Sequence, residues 1–463
     1  MALAKAVQSG SEDGLSVAWP ACRRPYESHL AHLRAPPERR PGRGPSSPPP
    51  FPGRLRPGQI ARGPVGSASI ASIAPEFTPC FALMTAPDSI EAELAALPAP
   101  LRARLSAAGF RDDRLVALSR ALADKAALFA KNRLTGEVTP PSDGELLPLP
   151  EPGSPEHERL RELGQAAIDR GELAFCVLAG GMATRMGGVV KALVEAFDGK
   201  TFLDLRLAEN ASAGRRAKAP VPLWLMTSEA TDKAIREALA ARNAPDHVAV
   251  FMQDLGLRLT PEGRLFREDD GDVSVYATGH GDFVDALRRT RLLDDFLARG
   301  GKTVWIANLD NLGASIDPVV LGRFLDSQKR VMVEVCEKAK GDRGGIPVHA
   351  QGKLQVVEEF RLPEGFSGDS VRVFNTNTFL VSAEALRGLD MPSTYFAVEK
   401  KVEGRVAIQF ERLLQELTAF LDAGYVVVPR EGARSRFLPV KDHDELARRR
   451  AEIQEVARAR GMV

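Results

Sequence analysis

The sequence predicts an α/β fold, a parallel sheet with helices on both faces, and three observations carry that reading. Short apolar, partly β-branched runs recur through the middle of the chain with helical patterns between them. One run is followed directly by a glycine-rich turn closed by a lysine, Leu178-Ala179-Gly180-Gly181-Met182-Ala183-Thr184-Arg185-Met186-Gly187-Gly188-Val189-Val190-Lys191. Another ends in Asn308-Leu309-Asp310-Asn311-Leu312-Gly313, and ligands of parallel sheets bind at the carboxyl ends of strands.

Along the chain, residues 1–83 come first. They carry 10 Lys+Arg against 5 Asp+Glu and 14 of the 33 prolines, with Pro48-Pro49-Pro50 inside an Arg/Gly/Ser/Pro run and no sustained hydrophobic period. Such a Pro/Arg-rich leader cannot bury enough apolar surface to fold. It also lacks the basic start and apolar core of a secretory signal. Met84-Thr85-Ala86-Pro87 opens a clean helical pattern, which makes Met84 the expected start of the protein.

Residues 84–170 form an N-terminal helical cap. Ile90, Leu94, Leu97, Leu101, Leu105, Leu115, Leu118 and Leu122 recur at helical spacing, with breaks at Pro98 and Gly109. A proline- and acid-rich loop over 140–155 precedes one more helix, 156–170. Residues 171–385 form the core, with strands at 174–178, 222–226, 248–252, 303–307, 331–336 and 373–381. Helices at 231–242, 282–298 and 318–329 separate them, and a hairpin is inserted at 345–360. Residues 386–463 are expected to add a short α+β segment: a long helix over 406–421, a strand at 425–428 and a charged helix from about 444.

Composition excludes several classes. The 463 residues are 44% hydrophobic, as in ordinary globular proteins, yet no apolar stretch approaches the ~18 residues of a membrane span. Beyond residue 83 the chain carries a net −4, which gives no reason to expect nucleic acid as a partner. Four cysteines (Cys22, Cys80, Cys176, Cys336) without CxxC spacing point to a reducing, cytoplasmic setting and no zinc site.

The glycine turn is a candidate phosphate loop: glycines admit backbone N–H groups to an anion, while Arg185 and Lys191 add charge. It matches neither a Walker loop nor a GxGxxG fingerprint, so a structural turn is the competing reading. Asp310, at a strand end beside that loop, suits Mg²⁺, which one or two carboxylates plus phosphate oxygens hold; the alternative is a turn or N-cap aspartate. In Gly279-His280-Gly281-Asp282, Asp282 reads as an N-cap and His280 as an exposed loop donor to a substrate oxygen. Asn375-Thr376-Asn377-Thr378 interrupts an apolar strand, and buried amides need partners such as sugar hydroxyls. The basic cluster Arg434-Ser435-Arg436-Phe437-Leu438-Pro439-Val440-Lys441 reads, taken alone, as solvated surface.

Taken in order, these residues resemble the eukaryotic-type UDP-glucose pyrophosphorylase family, the UTP–glucose-1-phosphate uridylyltransferases. The family's Leu-x-Gly-Gly loop is similar to Leu178 to Gly181, with its lysine at Lys191, and its Phe-x-Gln to Phe251-Met252-Gln253. Gly-His-Gly-Asp stands at Gly279 to Asp282, Asn-x-Asp-Asn-Leu-Gly-Ala at Asn308 to Ala314, and Phe-Asn-Thr-Asn at Phe374 to Asn377. Ile408-Gln409-Phe410-Glu411 resembles Ile-Gln-Leu-Glu, and Arg434 to Lys441 matches the family's octet in full. The resemblance implies a nucleotidyltransferase with a Rossmann-like GT-A core and a mixed, mostly parallel sheet.

The implied reaction is attack of α-D-glucose 1-phosphate on the α-phosphorus of UTP, giving UDP-glucose and pyrophosphate with Mg²⁺. Lys191, Asp310, Lys441 and Arg185 would be catalytic. Leu178, Ala179, Gly180 and Gly181 would contact UTP, with Gln253 and Gly279 on the uracil side and Asn308 and Leu309 beside the metal aspartate. His280 would meet the sugar phosphate, while Asn375, Thr376, Asn377 and Glu358 would meet the sugar. Close rivals are a UDP-N-acetylhexosamine or broad UDP-sugar pyrophosphorylase and a catalytically silent nucleotide-sugar binding protein. The loop departs from related nucleotidyltransferases at Ala183, where glycine is common, and at Val190, where proline is. The sequence ends 22 residues past Lys441, whereas the eukaryotic enzymes continue into a C-terminal β-helix used for assembly. Their oligomer is therefore not assumed here, and the oligomeric state stays open, a monomer included.

Overall fold

The computed structural model describes residues 89–217, 219–339, 341–391 and 394–463. The 1–83 leader, the Met84 start, Cys22 and Cys80 lie outside them. Eight strands make the central sheet: β1 (Leu146–Pro148), β2 (Leu173–Leu178), β3 (Leu223–Thr227), β4 (Val248–Met252), β5 (Thr303–Asn308), β6 (Val331–Glu337), β7 (Val373–Ser382) and β8 (Ala423–Val427). Their order is β1-β8-β6-β7-β5-β2-β3-β4. Every neighbouring pair is parallel except those of β7, which runs antiparallel to both β5 and β6. The sheet is thus mixed and mostly parallel, and every residue of β2 is buried, as a strand covered on both faces requires.

The strand order reverses beside β2. From there β3 and β4 are added outward in one direction, whereas β5 returns to the opposite flank, so the carboxyl ends of β2 and β5 border the switch point where open α/β sheets bind ligands. The register pairs Leu178 with Asn308. The glycine turn and the Asp310 turn therefore leave the sheet side by side.

Local chemistry sets the helix boundaries. Ser154 caps Pro155–Asp169 through the His157 N–H, and Thr201 with Asp204 forms a reciprocal capping box on Phe202–Arg216. The predicted 282–298 helix is instead a 3₁₀ turn, His280–Asp282, followed by Phe283–Arg288 and Leu292–Ala298. Thr290 breaks it: its hydroxyl donates to Leu287 O (2.7 Å) and accepts from Leu292 N (3.2 Å). Helices Pro155–Asp169 and Pro318–Ser327 meet at glycines. A Cβ on Gly164 would stand 1.9 Å from Pro318 O, and one on Gly322 1.9 Å from Leu160 O, so the two backbones touch.

The N-terminal cap breaks at Pro98 and Gly109 as predicted, giving Ile90–Ala95, Ala99–Ala107, Asp112–Ala121 and Lys125–Ala130. It has a core of its own. Leu94, Leu105 and Leu115 pack with Leu259 and with Leu255, Leu257, Ile408 and Phe410 from two antiparallel ribbons, Leu255–Leu257 with Val275–Ala277 and Phe396–Val402 with Arg405–Glu411. The second ribbon corrects the long helix expected over 406–421. Val406, Ile408 and Phe410 alternate with period two, and Glu403 and Gly404 both take positive φ (50° and 78°), the geometry of a two-residue hairpin turn. Only Leu417–Phe420, after a 3₁₀ turn, is helical. The predicted strand at 425–428 is β8, and the charged helix runs His443–Ala459. Among the described residues no helix is long and apolar enough to cross a membrane.

Gly164→Ala and Gly322→Ala are each expected to destabilise the fold by about 1–3 kcal/mol through overpacking. Gly388→Ala, where nothing lies within 4 Å of the added Cβ, is expected to be neutral. Urea-denaturation midpoints of the three variants check both statements.

Candidate active site

Beyond β2 the glycine turn folds into a tight hairpin, Met182–Ala183 against Val189–Val190, closing through Gly187 (φ 86°) and Gly188 (φ 74°). Lys191 N donates to Gly181 O at 3.1 Å. At Gly180 proximity demands glycine: an added Cβ would lie 2.7 Å from Gln253 Nε2, and Ser228 Oγ donates to Gly180 O at 2.8 Å. Ala183 has φ −81°, ordinary for any L residue, and Val190 has φ −63°, the value a proline ring would hold. Neither residue is forced into positive φ.

Gly180, Met182, Ser228, Gln253, Arg258, Tyr276, Ala277 and Gln409 line a cleft of about 480 Å³, part of it open to solvent. Ser228, Glu229 and Ala230 bring the start of helix Glu229–Ala241 to its wall. Arg258, 2% exposed, donates from Nε to Gln409 Oε1 (3.0 Å), while Gln409 Nε2 donates to Glu411 Oε1 (2.6 Å). The Gln409 amide is thereby fixed in one orientation.

The second wall of the switch point is the turn after β5. Asp310 lies on it, and Lys191 Nζ sits 2.5 Å from Asp310 Oδ2, both side chains less than one-fifth exposed. A buried guanidinium holds the turn. Arg206 donates to the carbonyls of Asn308 (2.9 Å), Leu309 (3.2 Å), Asn311 and Ala314 (3.0 Å), and to Glu209 Oε2 (2.7 Å). Leu309 points into the core, and its backbone is already committed: its N–H donates to Leu178 O (3.2 Å) and its carbonyl accepts from Arg206.

His280 is buried, which corrects the expectation of an exposed loop donor. Its turn is pressed onto residues 412–414: Gly281 N donates to Arg412 O (3.1 Å), and a Cβ on Gly279 would stand 2.7 Å from Arg412 O. Leu414 N donates to His280 Nδ1 at 2.9 Å. With Nδ1 accepting, the ring proton sits on Nε2, and burial lowers the imidazole's pKa from 6.5 to about 4. His280 is a neutral Nε2–H donor at physiological pH. Asp282 makes no N-cap bond either; it accepts from Thr278 Oγ1 and Arg412 Nη1, and burial, then the nearby Asp254 carboxylate, pushes its pKa up to about 7.

Because β7 is antiparallel, its first residues arrive at the carboxyl ends of its neighbours. A bulge skips Thr376 and Asn377 between the pairs Glu334–Thr378 and Val335–Asn375, and Asn377 takes φ 58°, a left-handed conformation that asparagine tolerates. Asn377 Nδ2 donates to Asn308 Oδ1 (2.8 Å), Asn377 N to Asn375 Oδ1 (2.9 Å). Thr376 is turned inward, donating to Glu334 O, which removes it from a ligand's reach. Asn375 N donates to Gly345 O (2.8 Å), and Glu358 takes a hydrogen bond from the Gly345 backbone. Gln415 Nε2 donates to Glu358 Oε1 at 2.5 Å. Burial, then Glu359 and Glu416, pushes the Glu358 pKa up to about 7.

The basic octet is mostly interior, which corrects the solvated-surface reading. Arg436 makes a two-pronged contact with Glu334 (2.7 Å each), and Asn311 both donates to Arg436 O (3.1 Å) and accepts from Leu438 N (2.7 Å). Only its ends, Arg434 and Lys441, are exposed, as is Arg185 at the hairpin tip. The fold thus gathers Leu178 to Gly181, Lys191, Asp310, Asn308, Asn375, Asn377 and Glu358 along one edge, with Gln253 against Gly180, and leaves Arg185 and Lys441 in solvent. Arg206, Arg258 and Gln415 were missed from sequence, where Gln409 stood out only as part of the Ile408 to Glu411 resemblance. For Arg206 a signal existed: Phe202, Arg206, Glu209 and Ala213 share one face of a helix whose apolar stripe is buried.

A mostly parallel sheet carrying a glycine hairpin, a lysine–aspartate pair and a polar cleft at its switch point is the architecture of a nucleotide-binding α/β protein. Sequence comparison is more specific. A family model described as UTP–glucose-1-phosphate uridylyltransferase matches residues 144–459. The chain is 31% identical over 328 residues to a UTP–glucose-1-phosphate uridylyltransferase of Musa acuminata, covering 67% of this chain and 68% of that one. It is 29% identical over 313 residues to that of Encephalitozoon cuniculi, covering 64% and 60%. The chain therefore belongs to the UTP–glucose-1-phosphate uridylyltransferase family of nucleotidyltransferases, while spanning about three-fifths to two-thirds of the length of these relatives. In fold it is similar to a Trypanosoma brucei uridine diphosphate N-acetylglucosamine pyrophosphorylase (TM-score 0.64, 22% identity, covering 79% of this chain and 81% of that one). A T. brucei UDP-glucose phosphorylase is also similar (TM-score 0.60, 23% identity, covering 75% and 77%).

His280 is expected to stay neutral with its proton on Nε2 down to about pH 4, read by ¹⁵N NMR of labelled histidine. Its folded pKa is depressed, so its stabilising contribution is complete above about 6.5 and is lost as pH falls toward 4. His280→Gln should remove that part of the acid sensitivity; an imidazole titrating near 6.5 in the folded protein would contradict the assignment.

Proposed function

We propose that the chain is a uridylyltransferase that makes UDP-glucose and pyrophosphate from UTP and α-D-glucose 1-phosphate, with Mg²⁺ as cofactor. The observation that carries this reading is the Leu178–Asn308 register, which sets the glycine hairpin and Lys191 against the Asp310 turn beside a cleft lined by Gln253. Among the described residues no three His, Cys, Asp or Glu side chains converge as a metal cage. A lone carboxylate fits Mg²⁺ that shares its coordination with nucleotide phosphates. Held there, the ion supplies charge neutralisation at the α-phosphate.

The protein's own groups do the rest. The cleft takes the uracil and ribose against Gly180 and Gln253. A phosphate oxygen of the sugar phosphate forms the new bond to the α-phosphorus while the bond to the β-phosphate oxygen breaks, and pyrophosphate leaves. The sugar phosphate is already ionised, so no side chain has to remove a proton. Lys191 stabilises the oxygens that gain charge, and exposed Lys441 adds a second cation. His280 donates its Nε2–H to the sugar phosphate without adding net charge. Asn375, Asn377 and Glu358 orient the sugar hydroxyls, each held by a neighbour rather than by solvent. Alignment of two polyanions in this way contributes on the order of 7–11 kcal/mol at best.

Lys191→Ala and Lys441→Ala are each expected to lower the rate by about 10²–10³, as removal of one transition-state donor does. Pyrophosphate release from UTP with a panel of sugar 1-phosphates measures this. Activity within about threefold of wild type in both variants would overturn the roles. Preference for N-acetylglucosamine 1-phosphate would move the specificity, and binding of UDP-glucose without any release would make the chain a nucleotide-sugar binding protein.

A further inference from the structure

The Lys191–Asp310 pair has more than one possible partner on each side. Asp310 Oδ2 already receives Lys191 Nζ at 2.5 Å, so a divalent ion approaching that carboxylate meets an ammonium group paired with it. Both ends are rigidly mounted. Asp310 stands on the turn held by Arg206, and Lys191 follows a hairpin whose Lys191 N–H is fixed to Gly181 O. Neither side chain is more than 18% exposed, so the attraction between them is only partly screened. A divalent ion held by the same carboxylate would be repelled by the ammonium group already beside it.

We infer that Lys191 acts as a resident counter-ion of Asp310 that a divalent cation must displace, and that the nucleotide's phosphates make the exchange favourable by taking the lysine. Before the exchange Lys191 neutralises Asp310. After it the metal neutralises Asp310 and Lys191 neutralises phosphate, so every charge keeps a partner throughout. Metal alone would leave the ammonium stranded beside a dication, which disfavours binding without nucleotide. The pair thereby makes the metal site conditional on the nucleotide, and this rests on the proposed role of Asp310.

Binding of Mn²⁺ to the full chain, followed by electron paramagnetic resonance without any catalytic turnover, tests the exchange. Wild type should bind Mn²⁺ weakly alone and much more tightly with UTP. Lys191→Met should raise the affinity for Mn²⁺ alone by about 10- to 100-fold, the scale of one lost charged hydrogen bond, and narrow the gap that UTP makes. Lys191→Arg, which keeps the charge, should stay within about threefold of wild type. An unchanged affinity in Lys191→Met, or an equal rise in Lys191→Arg, would overturn the inference. Asp310→Asn separates the two levels: if it binds Mn²⁺ with UTP as well as wild type does, the metal role of Asp310 falls; if it loses the metal while Lys191→Met behaves as wild type, only the exchange falls.

Discussion

One buried guanidinium fixes the geometry on which the edge of the sheet depends. Arg206 is wholly inside the protein and uses all five of its N–H donors, four on carbonyls of the 308–314 turn and one on Glu209. A turn that leaves the sheet and doubles back inside the protein would otherwise bury carbonyls without partners, at a cost of about 1–3 kcal/mol each. The charge is itself balanced, because Glu209 accepts from Arg206 with one oxygen and from Ile316 N (2.8 Å) with the other. Asn311 and Gly313 then tie the turn to residues 435–438, and Arg436 ties that segment to Glu334 on β6. Two internal ion pairs thus frame the turn that carries Asp310, one from the helix behind it and one from a segment more than a hundred residues later.

The reversal of β7 has an equally local cause and a wider effect. A strand entering a parallel neighbourhood from the opposite direction delivers its first residues where its neighbours deliver their last. Asn375 and Asn377 reach the carboxyl edge by this reversal, and the two-residue bulge turns Thr376 inward while its neighbours stay half-exposed. The Asn377 amide then meets Asn308 across the β5–β7 pair, so the sugar side and the metal side of the proposed site share a hydrogen bond.

Much of this was legible in the amino-acid sequence because strands buried on both faces are almost uniformly apolar and their flanking turns are rich in glycine and asparagine. All six predicted core strands exist within about two residues of their expected bounds. What failed did so for physical reasons. Residues 406–421 contain leucines near helical spacing, yet the left-handed Glu403-Gly404 turn and the partner strand Phe396–Val402 commit the first half to a ribbon. His280 looks exposed between two glycines; those glycines instead let residues 412–414 press against it. The octet ending at Lys441 reads as surface because its count of cations gives no hint of Glu334, a hundred residues earlier, waiting for Arg436. Pairings that distant leave no periodic trace.

The separate core under the N-terminal helices has a bearing on how the chain assembles. Leu94, Leu105 and Leu115 have their apolar partners at Leu255 to Leu265 and again at Ala397 to Phe410, and Arg114 reaches Tyr395 across 281 residues of sequence. Helices that emerge early in synthesis therefore cannot complete their core until the late ribbon has been made, and closing contacts of such separation is slow. The central sheet, by contrast, can add β2, β3 and β4 as each is synthesised. The helical cap precedes the sheet in the chain but completes its core only with the late ribbon, so until then its apolar stripe is a point at which an unfinished molecule is open to a chaperone or to aggregation.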